Sequence, residues 1–555
     1  MREFLTGLAI LIIGVLFAAL VAPLFVDFNE RRAFVEETLS RAAGTRITVG
    51  GAISVRFLPF PVVKLEGVTV GNKAQGIEVK ADRISLDIGT MPLLKGEIHV
   101  MEAMVERPVI SLAITADGRI PKFPPLSNKT DDASSGWTIR IETLALRNGE
   151  LVFVPAMDAP PMRLSKLDLD IEAAALSGPW HVEGSGQWHG RAVNVRLTTG
   201  ALDEAGLLRA RAGIDRKGGG FRAELDGIIS TRGETGFDGK LKLEGDMAWP
   251  EDNDIGIRPV TVTSSLRLAG RGFDISSAEI QAGGDESGFK LTGSGNGKLG
   301  RDGGMVLLLD ARQIDLDRTL PVQNRNFPPL LDVLSAWRGI LLASDQDLTP
   351  SIPVDVTLSI ESVLAGGDTI KNLKIDTHLD TEGVKLKQGE ADLPGGAHLT
   401  AKGDIGLSDG GAFFGKATFT AKDFPRFGAW VDGETSGRSV HYGEARDIAV
   451  EGDLALSSSL IGASNLKVRL DKSNLTGLVR YAMPEEGARA RLDAQLASDG
   501  FDIDQLPDFP MMAARLGAID ASLLIDARNV RTARVKDAHA LCAHCERRSR
   551  ETHQS

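Results

Sequence analysis

Apolar and polar residues alternate one by one along most of this chain. Leu167, Leu169 and Ile171 are separated by charged residues, and the same spacing returns in segment after segment up to about residue 530. Because successive side chains of a β-strand point to opposite faces, a period of two predicts strands with one apolar and one wetted face. Such strands favour an antiparallel sheet with one solvated side, since the strands of a buried parallel sheet are apolar on both faces.

The composition agrees with many short strands joined by glycine turns. The 555 residues include 62 glycines, and only 5% are aromatic. The net charge of -12 argues against the basic face that nucleic-acid-binding proteins usually need, so we expect no nucleic-acid partner. The two cysteines both lie close to the C-terminus, which excludes a disulfide framework for the body.

The second strong feature is an uncharged apolar segment at residues 5–26. A helix of about 20 apolar residues spans about 30 Å of hydrocarbon, so the segment predicts a membrane anchor. A cleaved signal peptide is the alternative, but the run is too long for one, and Pro23 follows the plausible cleavage position at Ala22. Basic residues flank the segment on both sides, so the positive-inside rule gives little indication of which end of the helix faces the cytoplasm. We place residues 1–4 in the cytoplasm and the body outside it.

Composition divides the remainder into four parts. Residues 27–125 form an N-terminal unit of one helix and several strands, and the polar residues 126–136 form a linker. Residues 137–530 form an extended β-rich body. Residues 531–555 are rich in Arg, His and Cys, unlike everything before them, which predicts a disordered and altered or frame-shifted tail.

The N-terminal unit begins with the clearest local signals. Phe34, Val35 and Leu39 give the first helix an apolar stripe. Two short strands follow, and Gly50 and Gly51 between them predict a turn.

Sequence motifs for catalysis, phosphate binding or metal binding are weak. The chain has neither an H-E-x-x-H nor a G-x-S-x-G sequence. Residues 293–298 superficially resemble a phosphate loop without its spacing, so we expect a flexible turn there. Cys542 and Cys545 form a C-x-x-C that could bind zinc with His539 and His553, but no strand or helix pattern supports it. We therefore predict a non-enzymatic protein without catalytic residues, cofactor or metal.

Two Trp-His pairs lie in a glycine-rich segment. They are Trp180 with His181 and Trp188 with His189. An aromatic-lined site can be imagined there, and strand-edge residues around a turn are the interpretation that we adopt.

Short blocks of this sequence resemble the AsmA family of Gram-negative bacteria, loosely over residues 1–530. After the anchor they are the helix end at Gly44, residues 47–51, 55–59 and 68–72, the strand-Asn-Gly-strand element at 144–151 and the Leu-Pro-Gly-Gly turn at 393–397. The resemblance implies a periplasmic protein, held in the bacterial inner membrane through residues 5–26 and linked to outer-membrane biogenesis. It also implies a likeness to bridge-like lipid transfer proteins, in which a long curled sheet forms an apolar groove.

We thus expect a mainly β fold: an elongated, curled antiparallel sheet with a groove, one N-terminal transmembrane helix and a few short helices. A long sheet with one apolar face must cover that face with helices, a second sheet or lipid. We expect phospholipid to be carried or bridged along the groove between the inner and outer membranes. The alternatives are an adaptor that regulates outer-membrane protein assembly through protein contacts, a closed β-sandwich, and an exported enzyme with a grafted anchor, which would need a convergent polar cluster that the sequence does not show. Candidate groove-lining residues are Ile84, Leu86, Ile88, Leu167, Leu169, Ile171, Leu373 and Ile375.

Overall fold

The structure of the protein is a computed structural model. It describes residues 30–43, 45–56, 60–72, 76–90, 98–114, 139–154, 161–173, 178–251, 254–284, 288–300, 302–319, 330, 332–334, 352–381, 383–406, 412–433, 447–457, 459–483, 489–502 and 519–531. The predicted anchor at 5–26, the linker at 126–136 and the C-x-x-C at Cys542 and Cys545 lie outside these residues. No helix in the described ranges is long and apolar enough to cross a membrane.

Strands dominate the described residues, as predicted. The first fourteen are β1 (Ile47–Val49), β2 (Ile53–Arg56), β3 (Val62–Asn72), β4 (Ile77–Ile88), β5 (Ile98–Glu106), β6 (Val109–Ala113), β7 (Ile139–Val154), β8 (Met162–Ala173), β9 (Trp180–Trp188), β10 (Arg191–Thr199), β11 (Leu207–Arg216), β12 (Phe221–Ser230), β13 (Gly236–Glu251) and β14 (Asp254–Ala269). The others are β15 (Gly272–Ala282), β16 (Phe289–Lys298), β17 (Gly304–Asp315), β18 (Val354–Ala365), β19 (Asp368–Leu379), β20 (Val384–Leu393), β21 (Ala397–Gly406), β22 (Ala412–Ala421), β23 (Ile448–Leu456), β24 (Leu460–Leu470), β25 (Ser473–Ala482), β26 (Ala490–Ser498), β27 (Phe501–Asp502), β28 (Ile519–Ala527) and β29 (Val530–Arg531).

The described helices are short. They are α1 (Arg32–Ala43), a 3-10 helix (Asp317–Thr319) and α2 (Phe424–Asp432), and residues 330 and 332–334 are also helical. In α1 the predicted stripe is confirmed for Val35 and Leu39, which pack on β1 to β3. It is wrong for Phe34, whose side chain is 68% exposed because it points away from the sheet.

One sheet of 27 strands contains nearly all of these elements. β1 and β2 lie in line along β3, β5 and β6 lie in line between β4 and β7, and the strands then follow in chain order to β26 and β28. β27 and β29 form a separate pair. We call the side of the sheet where β18 ends the upper rim and the side where β18 begins the lower rim.

Most neighbouring strands are antiparallel, as predicted, but the prediction is wrong at three junctions. The parallel pairs are β5 and β6 with β7, β17 with β18, and β26 with β28. At each junction the chain leaves one strand at the upper rim and enters the next at the lower rim. Alternation could not reveal this, because these strands also have one apolar and one polar face.

Bulges interrupt many strands of the sheet. Asn148, Lys166, Ser277, Asn372 and Asn465 have φ between 49° and 53°, and the pairing register shifts beside each of them. Each bulge places two consecutive residues on the outer face, after which the apolar face resumes. Because a bulge bends its strand and increases the local twist, the repeated bulges curl the sheet.

The predicted turn at Gly50 and Gly51 is also wrong, because the chain does not reverse direction there. Both amides donate to β3, from Gly50 to the Gly67 carbonyl at 2.9 Å and from Gly51 to the Glu66 carbonyl at 2.8 Å. The chain is therefore kinked rather than reversed, and β1 and β2 continue along one partner strand. A Cβ on Gly51 would lie 2.8 Å from the Glu66 carbonyl oxygen, so only glycine allows this close approach.

Candidate functional site

One face of the sheet carries an unbroken series of apolar positions, which we call the apolar face. Directly paired residues form a row along it, the apolar ladder. Its first part is Leu65, Ile84, Val105, Leu146, Leu169, Gly184, Val195, Ile214, Ala223, Leu243, Val262, Ile280 and Leu291. The row continues from Gly293 through Leu309, Leu358, Ile375, Gly389, Ala401, Ala417 and Gly452, and then through Leu454, Ala463, Val479, Ala494 and Leu523.

The opposite face is polar and charged. Arg267 bonds to Asp238 across β13 and β14 at 2.9 Å, and Lys467 lies 3.7 Å from Glu451 across β23 and β24. Exposed pairs of this kind each contribute about 0–1 kcal/mol. A shift of one residue would bring these charges to the apolar face, so the two faces together hold the strands in register.

The ladder is only partly covered. Leu309, Leu358 and Ile375, in three adjacent strands, are all half-buried. A second sheet packed on this face would bury them fully, as the inner faces of a β-sandwich are. In the described ranges the only other sheet is the short pair β27 and β29. Within the described residues these three side chains therefore lie on an open part of the apolar face.

Large side chains lie flat across neighbouring glycines. A Cβ built on Gly184 would lie 2.8 Å from Cδ2 of Leu169, and one on Gly293 would lie 2.8 Å from Cδ2 of Leu309. The glycines thus make room for their neighbours, which leaves a shallow floor on the apolar face. The expected turn at residues 293–298 is wrong for this reason, because these glycines lie within β16.

Helix α2 covers the upper rim of the apolar face between β18 and β25. Phe427 packs on Phe419 with ring centroids 4.7 Å apart, and Trp430 Nε1 donates to the Ala365 carbonyl at 2.8 Å. The predicted Leu-Pro-Gly-Gly turn holds this helix in place. The Asp423 amide donates to the Gly395 carbonyl at 3.0 Å, and a Cβ on Gly395 would lie 2.8 Å from the Phe427 nitrogen.

The structure brings the sequence-predicted groove residues to this one face. Their assignment to a lipid groove stays a prediction. Ile84, Leu169 and Ile375 belong to the ladder; Leu86 and Ile171 belong to the next row, Leu373 lies opposite Ile360, and Ile88 and Leu167 occupy further positions on the same face. Sequence reasoning missed the ladder glycines and Leu309, whose neighbours Leu307 and Leu308 hide the alternation.

The described residues show few other features that could form a metal site or a ligand pocket. No group of three or more His, Cys, Asp or Glu side chains in the described ranges could hold a metal ion. One shallow cavity of about 540 Å³ lies beside Trp180 and His181 at the lower rim. A second, also of about 540 Å³, lies between β16 and β19 and reaches Leu373.

Comparisons with known proteins bear on the first part of the chain. The AsmA family model matches residues 1–199. The chain is also similar to Protein AsmA of Escherichia coli (strain K12), with 30% identity over 161 residues, which is 28% of this chain and 26% of that protein. The match thus spans about a quarter of that relative's length. No solved structure matches the chain.

Proposed function

We propose, from the premise that this chain belongs to the AsmA family, that it carries phospholipid along its apolar face and serves envelope biogenesis. Acyl chains would cover the ladder, and headgroups would remain in water beyond its border. The protein would be held in the bacterial inner membrane through residues 5–26, with its body in the periplasm, and would pass lipid between the inner and outer membranes. The proposal assigns no catalytic residue and no cofactor.

The continuity of the ladder carries this proposal. From Leu65 to Leu523 every traced position is apolar or glycine, and most positions from Leu169 onward are half-buried. A soluble protein rarely leaves a contiguous apolar surface of this extent uncovered. Acyl chains would remove it from water without a second protein layer, and they would slide along it because it offers no fixed polar contact.

Native mass spectrometry of the full chain, purified from membranes in mild detergent, tests the proposal. We expect several phospholipids to remain bound to each chain. Replacing Ala417 by Asp places a charge on the ladder, where acyl chains would have to pass it, and should strongly reduce bound lipid while the protein still folds.

Thr418→Asp is the matched control. Thr418 is the next residue of β22, is exposed and faces the opposite side. The Thr418→Asp variant should therefore bind as much lipid as the wild type. Leu169→Asp repeats the test at a distant strand. A lipid-free wild-type chain, or equal lipid in Ala417→Asp and Thr418→Asp, would contradict the proposal.

A second candidate is an adaptor for outer-membrane protein assembly. Within the described strands β28 pairs only with β26, so its other edge presents unpaired backbone groups that another strand could join. Leu523 and Leu524 on this strand are 48% and 63% exposed. Replacing Leu524 by Lys should leave bound lipid unchanged, and loss of outer-membrane protein assembly in that variant alone would favour the adaptor.

A further inference from the structure

Charged residues are nearly absent from the apolar face. Among the side chains described on this face in β9 to β14, the charged ones are Arg191, Arg216 and Arg258. All three lie toward the upper rim. Arg191 begins β10, and Arg216 ends the adjacent β11 directly opposite Val193, so the two arginines lie on neighbouring strands, two residues out of register, near the border between the apolar face and water.

Two aromatic rings accompany them. Trp188 pairs directly with Arg191, and its ring centroid lies 5.2 Å from that of Phe221. Because β10 and β11 separate β9 from β12, the two side chains reach toward each other across these strands, and Val193 on β10 is 2% exposed. Tryptophan and arginine at the edge of an apolar region are the residues that proteins place at the level of lipid headgroups.

Neither of the two arginines is neutralised by a close carboxylate. No described Asp or Glu lies within 4.0 Å of either guanidinium. Asp246 lies in the same region, since Arg216 Nη1 and Asp246 Oδ2 lie 3.4 Å and 3.1 Å from the position that a Cβ of Gly220 would take. Arg216 thus turns toward the rim, away from the apolar floor.

Arginines on the opposite face of the same two strands behave differently. Arg196 is paired with Asp215, and Arg209 and Arg211 are both paired with Asp226. The polar face therefore satisfies its guanidinium groups internally, while the border of the apolar face leaves two of them available for an outside anion.

We propose that Arg191 and Arg216, beside Trp188 and Phe221, bind the phosphate of a phospholipid whose acyl chains lie on the apolar face. This site rests on the proposed function and adds to it where the headgroup lies. Guanidinium groups donate two hydrogen bonds to a phosphate in a fixed plane, and such charge-assisted bonds are the strong ones. Exposed lysine at position 217 extends the positive charge beyond the rim.

Photo-crosslinking locates the two ends of the lipid. The full chain is loaded with phosphatidylglycerol that carries a diazirine either in the headgroup or at the end of an acyl chain, irradiated, digested and analysed by mass spectrometry. The headgroup probe should label peptides that contain residues 186–193 and 214–222. The acyl probe should label ladder peptides.

Arg191→Gln combined with Arg216→Gln should reduce headgroup labelling of these peptides about tenfold, because the variant loses the charge-assisted hydrogen bonds to the phosphate. Acyl labelling of the ladder should remain. Arg209→Gln combined with Arg211→Gln removes two positive charges from the opposite face of β11 and should change neither pattern.

The outcomes separate this site from the proposed function. Headgroup labelling at the lower rim, or unchanged labelling in the Arg191 and Arg216 double variant, would overturn the site while ladder labelling by the acyl probe supports lipid carriage. Absence of ladder labelling by either probe would overturn lipid carriage, and the site with it.

Discussion

The apolar face is a buried core in one region and an open surface in another. Beneath α2, Ala421 and Ile448 are 1% and 7% exposed. On the ladder of β17 to β19, Leu309, Leu358 and Ile375 are half-buried although they have the same chemistry. The comparison teaches that an apolar strand face becomes core only where another element covers it, and that the uncovered part remains available to a ligand.

The largest expected effect comes from placing a charge in the covered region. Ile448→Asp would bury an unpaired carboxylate beneath α2 and should lower the free energy of unfolding by about 3–5 kcal/mol. Ile375→Asp on the open ladder should cost only about 1 kcal/mol, because water reaches that position. Urea unfolding of both variants measures the difference, and equal losses would mean that the ladder is also a packed core.

Removing the cover itself should have the next largest effect. Trp430→Ala deletes a side chain that is 7% exposed together with its hydrogen bond to the Ala365 carbonyl. We expect the free energy of unfolding to fall by about 3–5 kcal/mol. Phe414→Ala is the control, because Phe414 is 53% exposed on the polar face and its loss should cost less than about 0.5 kcal/mol. Similar losses in both variants would contradict a specific role of α2.

At the upper rim, a buried acid should make stability depend on pH. Burial raises the pKa of Asp317 above 3.8, although its carboxylate accepts bonds from the Gly366 and Gly367 amides. The stabilisation that goes with the protonated form is complete below about pH 3.8 and is lost as the pH rises through the raised pKa.

Asp317→Asn removes this loss, because an amide does not ionise. The stability of the variant relative to the wild type should therefore increase as the pH rises through that window. Urea unfolding across the acidic range measures the slope, and parallel curves for the two proteins would contradict the prediction.

The smallest effect is expected on the polar face. Hydrogen bonds from Lys387 and then His378 lower the pKa of Asp355 below 3.8. The stabilisation of the folded protein by ionised Asp355 is present above pH 3.8 and is lost as the pH falls through the lowered pKa. This pH dependence is opposite in sign to that of Asp317.

Because the Asp355 side chain is 42% exposed and water screens its charge, Asp355→Asn should change the free energy of unfolding at neutral pH by no more than about 0.5 kcal/mol. A loss above about 2 kcal/mol would mean that the polar face also contributes to a packed layer.

Much of the fold was predictable, and the misses share a physical cause. Helix α2 was not predicted, although Asp423 at its N-cap, Pro425 in its first turn and the spacing of Phe427 and Trp430 indicate it. The bulges at Asn148 and Asn372 were not predicted either, because a short break in the alternation resembles a turn unless the partner strand is known. The pairing partner is a tertiary property.

The sequence by itself determined which residues of each strand share a face and which face is apolar. That follows from local stereochemistry, because side chains alternate along any strand. It also determined the turn at Gly395 and Gly396, where φ is 78° and 62° and glycine has no Cβ to oppose it.

Only the tertiary structure decided the order of the strands, the three parallel junctions and the region that α2 covers. These depend on contacts between residues far apart in the chain, such as Trp430 with the Ala365 carbonyl. The tertiary structure also decided that Trp188, Arg191, Arg216 and Phe221 lie on four adjacent strands at the upper rim, because this placement depends on the register in which β9 to β12 pair.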